Sequence, residues 1–182
     1  MAIANQNICI GLTIPVYVNK ALNGLGKACQ TSCGKAGTFL TPKQQHHVTL
    51  QVLNGLTQAQ VAAITASIQN LRFIPFKAKL CKNVAQFGQA REFVVCPVKS
   101  VSLVSKKHRS AKGKSPRSYN FLHQEIAKAV TPILGNGIGA GPQFIPHCSL
   151  GKIANPGANV VLPMNKADNV TWTVTSGNLI VL

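Results

Sequence analysis

Two segments of the sequence that lie 100 residues apart alternate between apolar and polar side chains. Residues 47–53 read HVTLQVL and residues 144–153 read FIPHCSLGKI. Successive side chains of a strand point to opposite faces of its sheet. Each segment therefore predicts a strand with one buried and one polar face, so the fold must contain a sheet that leaves a polar face open.

Strand and helix patterns are mixed along the rest of the chain. Apolar runs and helical spacing predict strands at 7–14, 38–40, 73–81, 91–98 and 170–182 and helices at 15–29, 57–71 and 119–131. With the two alternating segments, the order is β-α-β-β-α-β-β-α-β-β. Strict βαβ alternation is missing, which favours an α+β fold with largely antiparallel pairing. The length suits a single domain over residues 1–182.

Two local signals follow the first alternating segment. Asn54-Gly55 is a turn signal that should end this strand. Thr57 with Gln60 three residues later predicts a capping box at the start of the second helix.

Acidic residues are scarce. The chain has 19 Lys and Arg but 3 acids, which gives a net charge of +16, and Glu92, Glu125 and Asp168 are far apart in sequence. Glycosidases and aspartic proteases need two cooperating carboxylates, and calcium sites need several oxygen ligands. The count argues against these classes and favours a polyanionic partner such as nucleic acid. A basic surface that serves only solubility would give the same charge.

Seven of the nineteen basic residues lie within residues 99–117, which contain no acid. Gly113 and Pro116 interrupt this segment, so we predict an exposed basic loop over 99–117. Its best candidates for contacts with a nucleic-acid backbone are Lys106, Lys107 and Arg109. A disordered tether would have the same composition.

The six cysteines do not predict a metal site. Cys29 and Cys33 lie four residues apart, but no second pair stands at zinc-binding spacing. We expect reduced, mostly buried thiols. Neither a signal peptide nor a membrane-spanning run is evident in the sequence. We therefore expect no membrane association and a cytoplasmic protein, with the nucleus as an alternative because of the basic loop.

The two alternating segments share the pattern His-x-(Thr/Ser)-Leu. His47 and Thr49 fall on one face of the first strand, and His147 and Ser149 on one face of the second. If the strands approach each other, two imidazoles and two hydroxyls converge. A neutral histidine can accept a proton, a protonated one can donate it, and hydroxyls can bind phosphate oxygens. This set suits phosphodiester chemistry without a metal.

The neighbours of these histidines should point the other way. Alternation directs Cys148 away from the polar face, so we do not expect a cysteine nucleophile, and His46 should have a structural or surface role. Phe144, Tyr119 and Trp172 are candidates to stack on a base, although core packing is favoured for Phe144 and Trp172.

The sequence resembles the LigT-like branch of the 2H phosphoesterase superfamily, the RNA 2′,3′-cyclic phosphodiesterases or "2′-5′ RNA ligases". The segments that carry the resemblance are ICIGLTIP, FLTPKQQHHVTLQVLNGL, FGQAREFVVCPV and FIPHCSLGKI. It covers nearly the whole chain and is weakest at 99–117 and beyond 155. It implies a bilobal fold with pseudo-twofold symmetry, in which two antiparallel sheets line a central cleft and helices lie outside.

The resemblance also implies roles for particular residues. His47 and His147 would be the acid–base pair, without a decision on which is the acid, and Thr49 and Ser149 would bind phosphate oxygens. Where the family often has arginine, this chain has Lys152. Lysine keeps the charge but loses the bidentate grip of arginine.

We therefore expect a monomeric, metal-independent phosphodiesterase without a cofactor. Its substrate would be RNA or an oligonucleotide, and the reaction would convert a 2′,3′-cyclic phosphate to a 2′-phosphate. One alternative is a phosphodiesterase of viral or host-defence type that acts on 2′-5′ oligoadenylate or cyclic oligonucleotides. Another is an RNA-binding module without catalytic activity.

Overall fold

A computed structural model describes residues 5–39, 45–101, 118–135, 145–154 and 161–182 of the chain. Its helices are α1 (Val16–Cys33), α2 (Gln58–Asn70) and α3 (Tyr119–Leu134). Its strands are β1 (Gln6–Thr13), β2 (Gly37–Phe39), β3 (His47–Leu56), β4 (Phe76–Leu80), β5 (Ala85–Phe87), β6 (Phe93–Val101), β7 (His147–Ile153), β8 (Thr171–Val174) and β9 (Leu179–Val181).

The described strands pair in the order β8-β4-β6-β7-β3-β1-β9, with β2 beside β7 and β5 beside β6. Every pair is antiparallel. The α+β fold with antiparallel pairing predicted from the sequence is therefore confirmed. The two alternating segments form β3 and β7, which pair with each other at the centre.

The core lies between one face of these strands and the helices. Val48, Leu50, Cys148 and Leu150 all point into it and are at most 3% exposed. α1 packs on β2 and β7, whereas α2 packs on α3 and β9. This leaves the other face of β3 and β7 without a helix packed on it in the described residues.

β3 and β7 share a local irregularity. In β3, Thr49 pairs with Gly11 and Gln51 with Ile10, so the residue between Thr49 and Gln51 is unpaired. In β7, Ser149 pairs with Val95 and Gly151 with Val94, so one residue is unpaired there as well. The extra residue is leucine in both strands, and the burial pattern over seven residues is identical. Bulges re-aim the side chains that follow them. Counted outward from the centre of the sheet, the strands β3, β1 and β9 thus correspond to β7, β6 and β4. The two halves of the sheet therefore have a pseudo-twofold relation.

The second and third helices begin at capping side chains. The Thr57 hydroxyl accepts from the Gln60 backbone N–H, and the Gln60 side chain accepts from the Thr57 backbone N–H, so the capping box is present. Ser118 caps α3 by accepting from the backbone N–H of Phe121.

Several local features of the structure differ from the sequence predictions. β3 continues through Asn54-Gly55, because Gly55 adopts φ 71° and the pairing extends to Leu56. The strand β5 was not predicted, since three residues are too short for a period to show. α1 continues past 29 to its end at Cys33. β6 extends to Val101, so Lys99 lies in a strand and not in the basic loop predicted over 99–117.

Several predicted contact residues lie outside the described residues. These are Lys106, Lys107 and Arg109 of the basic segment, and Phe144 before the second motif. The suggestion that Tyr119 stacks on a base is wrong, because this side chain is 2% exposed and packs edge-on against Phe76. Trp172 is buried in the core, as favoured.

Candidate active site

The pairing of β3 with β7 brings the two His-x-(Thr/Ser) motifs together. Val48 lies opposite Cys148, and Thr49 lies opposite His147. Both Val48 and Cys148 are completely buried on the core face. The four candidate side chains are therefore on the open face and are partly exposed: His47, Thr49, His147 and Ser149.

Hydrogen bonding and stacking hold the ring of His147. Its Nδ1 lies 2.8 Å from the carbonyl oxygen of Ile145, which can only accept, so Nδ1 carries a proton. Phe87 of β5 stacks on the ring at 5.2 Å between centroids. Burial lowers the pKa of His147, and the Ile145 carbonyl opposes this shift because it stabilises the imidazolium. Nε2 is therefore the nitrogen left for proton transfer.

His47 has different neighbours. Its Nε2 lies 3.7 Å from Sγ of Cys9 on β1. Burial lowers the pKa of His47, and charge on His46 or His147 lowers it further. Burial raises the pKa of the Cys9 thiol, partly opposed by a hydrogen bond with Thr49. A protonated thiol can donate to Nε2, which favours the neutral form of His47.

His46 connects α1 to the second motif. The ring is 2% exposed, and its Nδ1–H donates to the carbonyl oxygen of Ser149 over 2.9 Å. Its Nε2 lies 3.0 Å from Oδ1 of Asn23, and burial lowers the pKa of His46. Both ring nitrogens thus face oxygen atoms, and only a protonated ring can donate to both. The neutral ring, which burial favours, pairs with Asn23 when the amide presents its NH2 group instead. Of the two roles considered for His46, the structural one is therefore correct.

The buried histidines make stability depend on pH. Burial lowers the pKa of His46, His47, His123 and His147, so the unfolded chain, with histidine pKa values near 6.5, binds more protons below that pH. We expect the free energy of unfolding to fall as the pH drops below about 6.5, and to be nearly constant from pH 7 to 8. Urea unfolding between pH 5 and 8 measures this, and a flat profile across pH 6.5 would contradict it.

A close backbone approach sets the position of His47. A Cβ added to Gly11 of β1 would lie 2.8 Å from the carbonyl oxygen of Val48 and 3.3 Å from Cδ2 of His47. The strands could not keep their spacing around such a methyl group. Glycine at position 11 therefore allows β1 to pair closely alongside the first motif.

The variant Gly11→Ala should lose about 1–3 kcal/mol of unfolding free energy because it forces β1 and β3 apart. Gly24→Ala is the matched control, since a Cβ there meets nothing within 4 Å on α1. This control should gain about 0.5–1 kcal/mol from lower backbone entropy in the unfolded chain. Urea titration of both variants compares the two changes, and equal effects would contradict the close approach.

A pocket of about 410 Å³ opens beside Ser149. It is lined by Thr38, Phe93, Ser149, Gly151, Lys152 and Ala154. Nζ of Lys152 lies 5.3 Å from the ring centroid of Phe93, which is 42% exposed. The predicted residue Lys152 is thus next to the second motif.

The pseudo-twofold relation breaks down at this pocket. In the half of the sheet that contains β7, Phe93 pairs with Lys152. The equivalent pair in the half that contains β3 is Cys9 with Val52. One end of the site therefore carries a cation and an aromatic ring, and the other carries a thiol and an aliphatic side chain.

Three residues of the site were not predicted from the sequence. Every residue from Phe93 to Val98 is apolar, so β6 shows no alternation that would place Phe93 on the open face. Phe87 and Cys9 offered no signal either, because their proximity to the histidines depends on pairing across strands.

The described residues give no indication of a metal site or a membrane-spanning helix. There, no three His, Cys, Asp or Glu side chains come together in a way that could hold a metal ion. No described helix has the length and apolar character needed to cross a membrane.

Comparison with known proteins gives a structural likeness and no sequence match. No family model and no curated protein sequence matches the chain. TT0787 of Thermus thermophilus is 16% identical, with a TM-score of 0.64 over 97% of this chain and 94% of that chain. E. coli LigT in its apo form is 15% identical, with a TM-score of 0.63 over 98% of this chain and 94% of that chain. The chain has the LigT fold.

A third structure is less similar but is also covered over nearly its whole length. Usb1 of Kluyveromyces marxianus is 9% identical, with a TM-score of 0.51 over 98% of this chain and 96% of that chain. The fold expected from the sequence resemblance is therefore confirmed. The roles of individual residues do not follow from likeness at this level of identity.

Proposed function

We propose that this protein is a phosphodiesterase that hydrolyses 2′,3′-cyclic phosphates at RNA ends to 2′-phosphates. The observation that carries the proposal is the register of β3 and β7, with two imidazoles and two hydroxyls on one open face. General acid–base catalysis needs two groups that titrate near neutral pH on either side of the reacting phosphorus. The two histidines, which this register brings to one face, are our candidates for these groups.

The proposed step begins with attack of water on the phosphorus. The basic histidine takes a proton from this water, the bond from phosphorus to the 3′-oxygen breaks, and the acidic histidine gives its proton to that oxygen. The products are a 2′-phosphate and a 3′-hydroxyl. The hydroxyls of Thr49 and Ser149 donate to the non-bridging oxygens, where negative charge grows.

We assign His47 as the base and His147 as the acid. Burial lowers the pKa of both histidines. At His147 the Ile145 carbonyl and the stacked ring of Phe87 oppose this shift. At His47 the charges of His46 and His147 add to it, so His47 has the neighbours that more strongly favour a neutral ring.

The substrate class has independent support. The chain carries +16, and a phosphate held at Ser149 would lie beside Lys152 in the 410 Å³ pocket. Phe93 offers a ring face for a base in the same pocket. Structures of E. coli LigT with the same fold include complexes with 3′-AMP and with phosphate.

Product analysis with defined RNA ends tests this function. The purified protein is incubated, with and without EDTA, with an RNA oligonucleotide ending in a 2′,3′-cyclic phosphate and with 2′-5′ oligoadenylate. We expect a 2′-phosphate end from the first substrate, unaffected by EDTA. Cleavage of 2′-5′ oligoadenylate alone would favour the alternative substrate. Binding without turnover of either would favour an RNA-binding module, and both results would overturn the proposal.

A further inference from the structure

A row of lysines crosses the open face of the sheet next to His147. Lys77 and Lys79 lie on β4, and Lys99 lies on β6. Lys79 is directly opposite Lys99 in the antiparallel ladder, and Lys77 is two residues from Lys79. We call these three residues the lysine strip.

The strip and the candidate active site share one face of the sheet. Pro97 of β6 lies opposite His147, and Lys99 is two residues farther along the same strand. Because side chains two apart on a strand point the same way, Lys99 is on the His147 face, and Lys79 opposite it is as well. On the other face, Ala78, Leu80 and Val98 are buried in the core.

The arrangement is unfavourable without a ligand. Like charges directly opposite each other in an antiparallel ladder repel. In the described residues the one ion pair within 4.0 Å joins Lys128 to Glu125 on α3, so no carboxylate neutralises the strip. The next strand, β8, contributes hydroxyls to the same face, since Thr171 pairs with Lys79 and Thr173 with Lys77. This surface presents hydroxyls and positive charge.

We propose that the lysine strip binds the backbone of the RNA chain whose end is held at the histidine pair. Neighbouring strands are about 4.8 Å apart, so β4 lies about 10 Å from the strand of His147. A mononucleotide at the histidines would not extend over β4, whereas an oligonucleotide would. Lysines contact phosphates as point charges and carry no base readout, so the binding should be independent of sequence. The choice of RNA rests on the proposed function.

The test separates binding from turnover. In a His47→Ala/His147→Ala background, anisotropy of a labelled RNA ten-mer is measured with Lys77, Lys79 and Lys99 changed to Gln. The matched control changes Lys20, Lys27 and Lys35 to Gln; these lie on or just after α1, and the change removes the same charge. Each lost phosphate contact should reduce the salt dependence of log K by about 0.7, or about 2 for the strip.

We expect the strip variant to bind the RNA at least about tenfold more weakly at low salt, with little change in the control. If both triple variants lose the same RNA affinity, the effect depends only on net charge, and the proposal is overturned. With active histidines, a Lys77→Gln/Lys79→Gln variant, which changes only β4, should lose kcat/KM for the cyclic-phosphate oligonucleotide but not for a 2′,3′-cyclic mononucleotide. An equal loss on both substrates would also overturn it.

Two results distinguish this inference from the proposed function. If no cyclic phosphate is hydrolysed but the strip variant still binds RNA more weakly than the control, the proposed phosphodiesterase function is wrong and the proposed RNA-binding surface is supported. A single Lys79→Gln change should also raise Tm at low salt, because it removes the opposed charge, and a lower Tm would contradict the unfavourable pairing. This measurement needs no substrate.

Discussion

Replacing either histidine by alanine is expected to reduce turnover of a cyclic phosphate by about 10²–10⁴-fold, the usual contribution of one acid–base group. His47→Ala and His147→Ala should both act on kcat more than on KM, because each loses proton transfer in the transition state. The His123→Ala variant removes a half-buried histidine of α3 that lies outside the site. It should keep near wild-type activity.

The assigned roles make the two variants separable. A nucleoside phosphodiester with a p-nitrophenyl leaving group needs no proton on the departing oxygen. On this substrate His147→Ala should recover to within about tenfold of wild type, whereas His47→Ala should keep its full loss. Recovery of His47→Ala in place of His147→Ala would reverse the assignment. Recovery of neither would contradict a division into one acid and one base.

The central features of the fold could be predicted because they repeat on a short scale. Alternation in residues 47–53 and 144–153 depends only on strand geometry, and it located β3, β7 and the shared face of their polar side chains. The capping box at Thr57 is equally local. These predictions needed no knowledge of which strands are neighbours.

The features that the sequence could not show depend on pairing between distant strands. Phe87 reaches His147, and Cys9 reaches His47, only because β5 and β1 lie where the sheet order puts them. The opposition of Lys79 and Lys99 likewise depends on the register of β4 with β6. The density of basic residues along the chain is highest at 99–117, but this count does not show that Lys79 and Lys99 lie opposite each other.

The pseudo-twofold relation explains why the sequence left the histidine roles open. The two motifs match at His, at hydroxyl and at leucine, and even their bulges coincide. What differs lies outside the motifs, in Phe87 and the Ile145 carbonyl on one side and Cys9 on the other. Asymmetry of the neighbours, and not of the motifs, is therefore what can give one histidine the acid role.

Removal of the hydroxyl of Thr49 or Ser149 is expected to cause the second large loss of activity. Thr49→Val and Ser149→Ala remove donors aimed at oxygens that gain charge in the transition state, and loss of one such donor costs about 10²–10³-fold in kcat. Ser149→Thr should restore most of the activity because it returns a hydroxyl at the same position. Thr31→Val is the matched control, since it removes an exposed hydroxyl of α1, which lies away from the open face.

The two hydroxyl variants should differ in how they affect binding. Ser149 borders the pocket that holds Lys152, so Ser149→Ala should raise KM as well as lower kcat. Thr49 is close to Cys9 and His47 at the apolar end, so Thr49→Val should change kcat almost alone. Steady-state kinetics on a 2′,3′-cyclic mononucleotide separate the two parameters. Identical changes in both variants would mean that the phosphate is held symmetrically, and the pocket at Lys152 would then have no part in orienting the substrate.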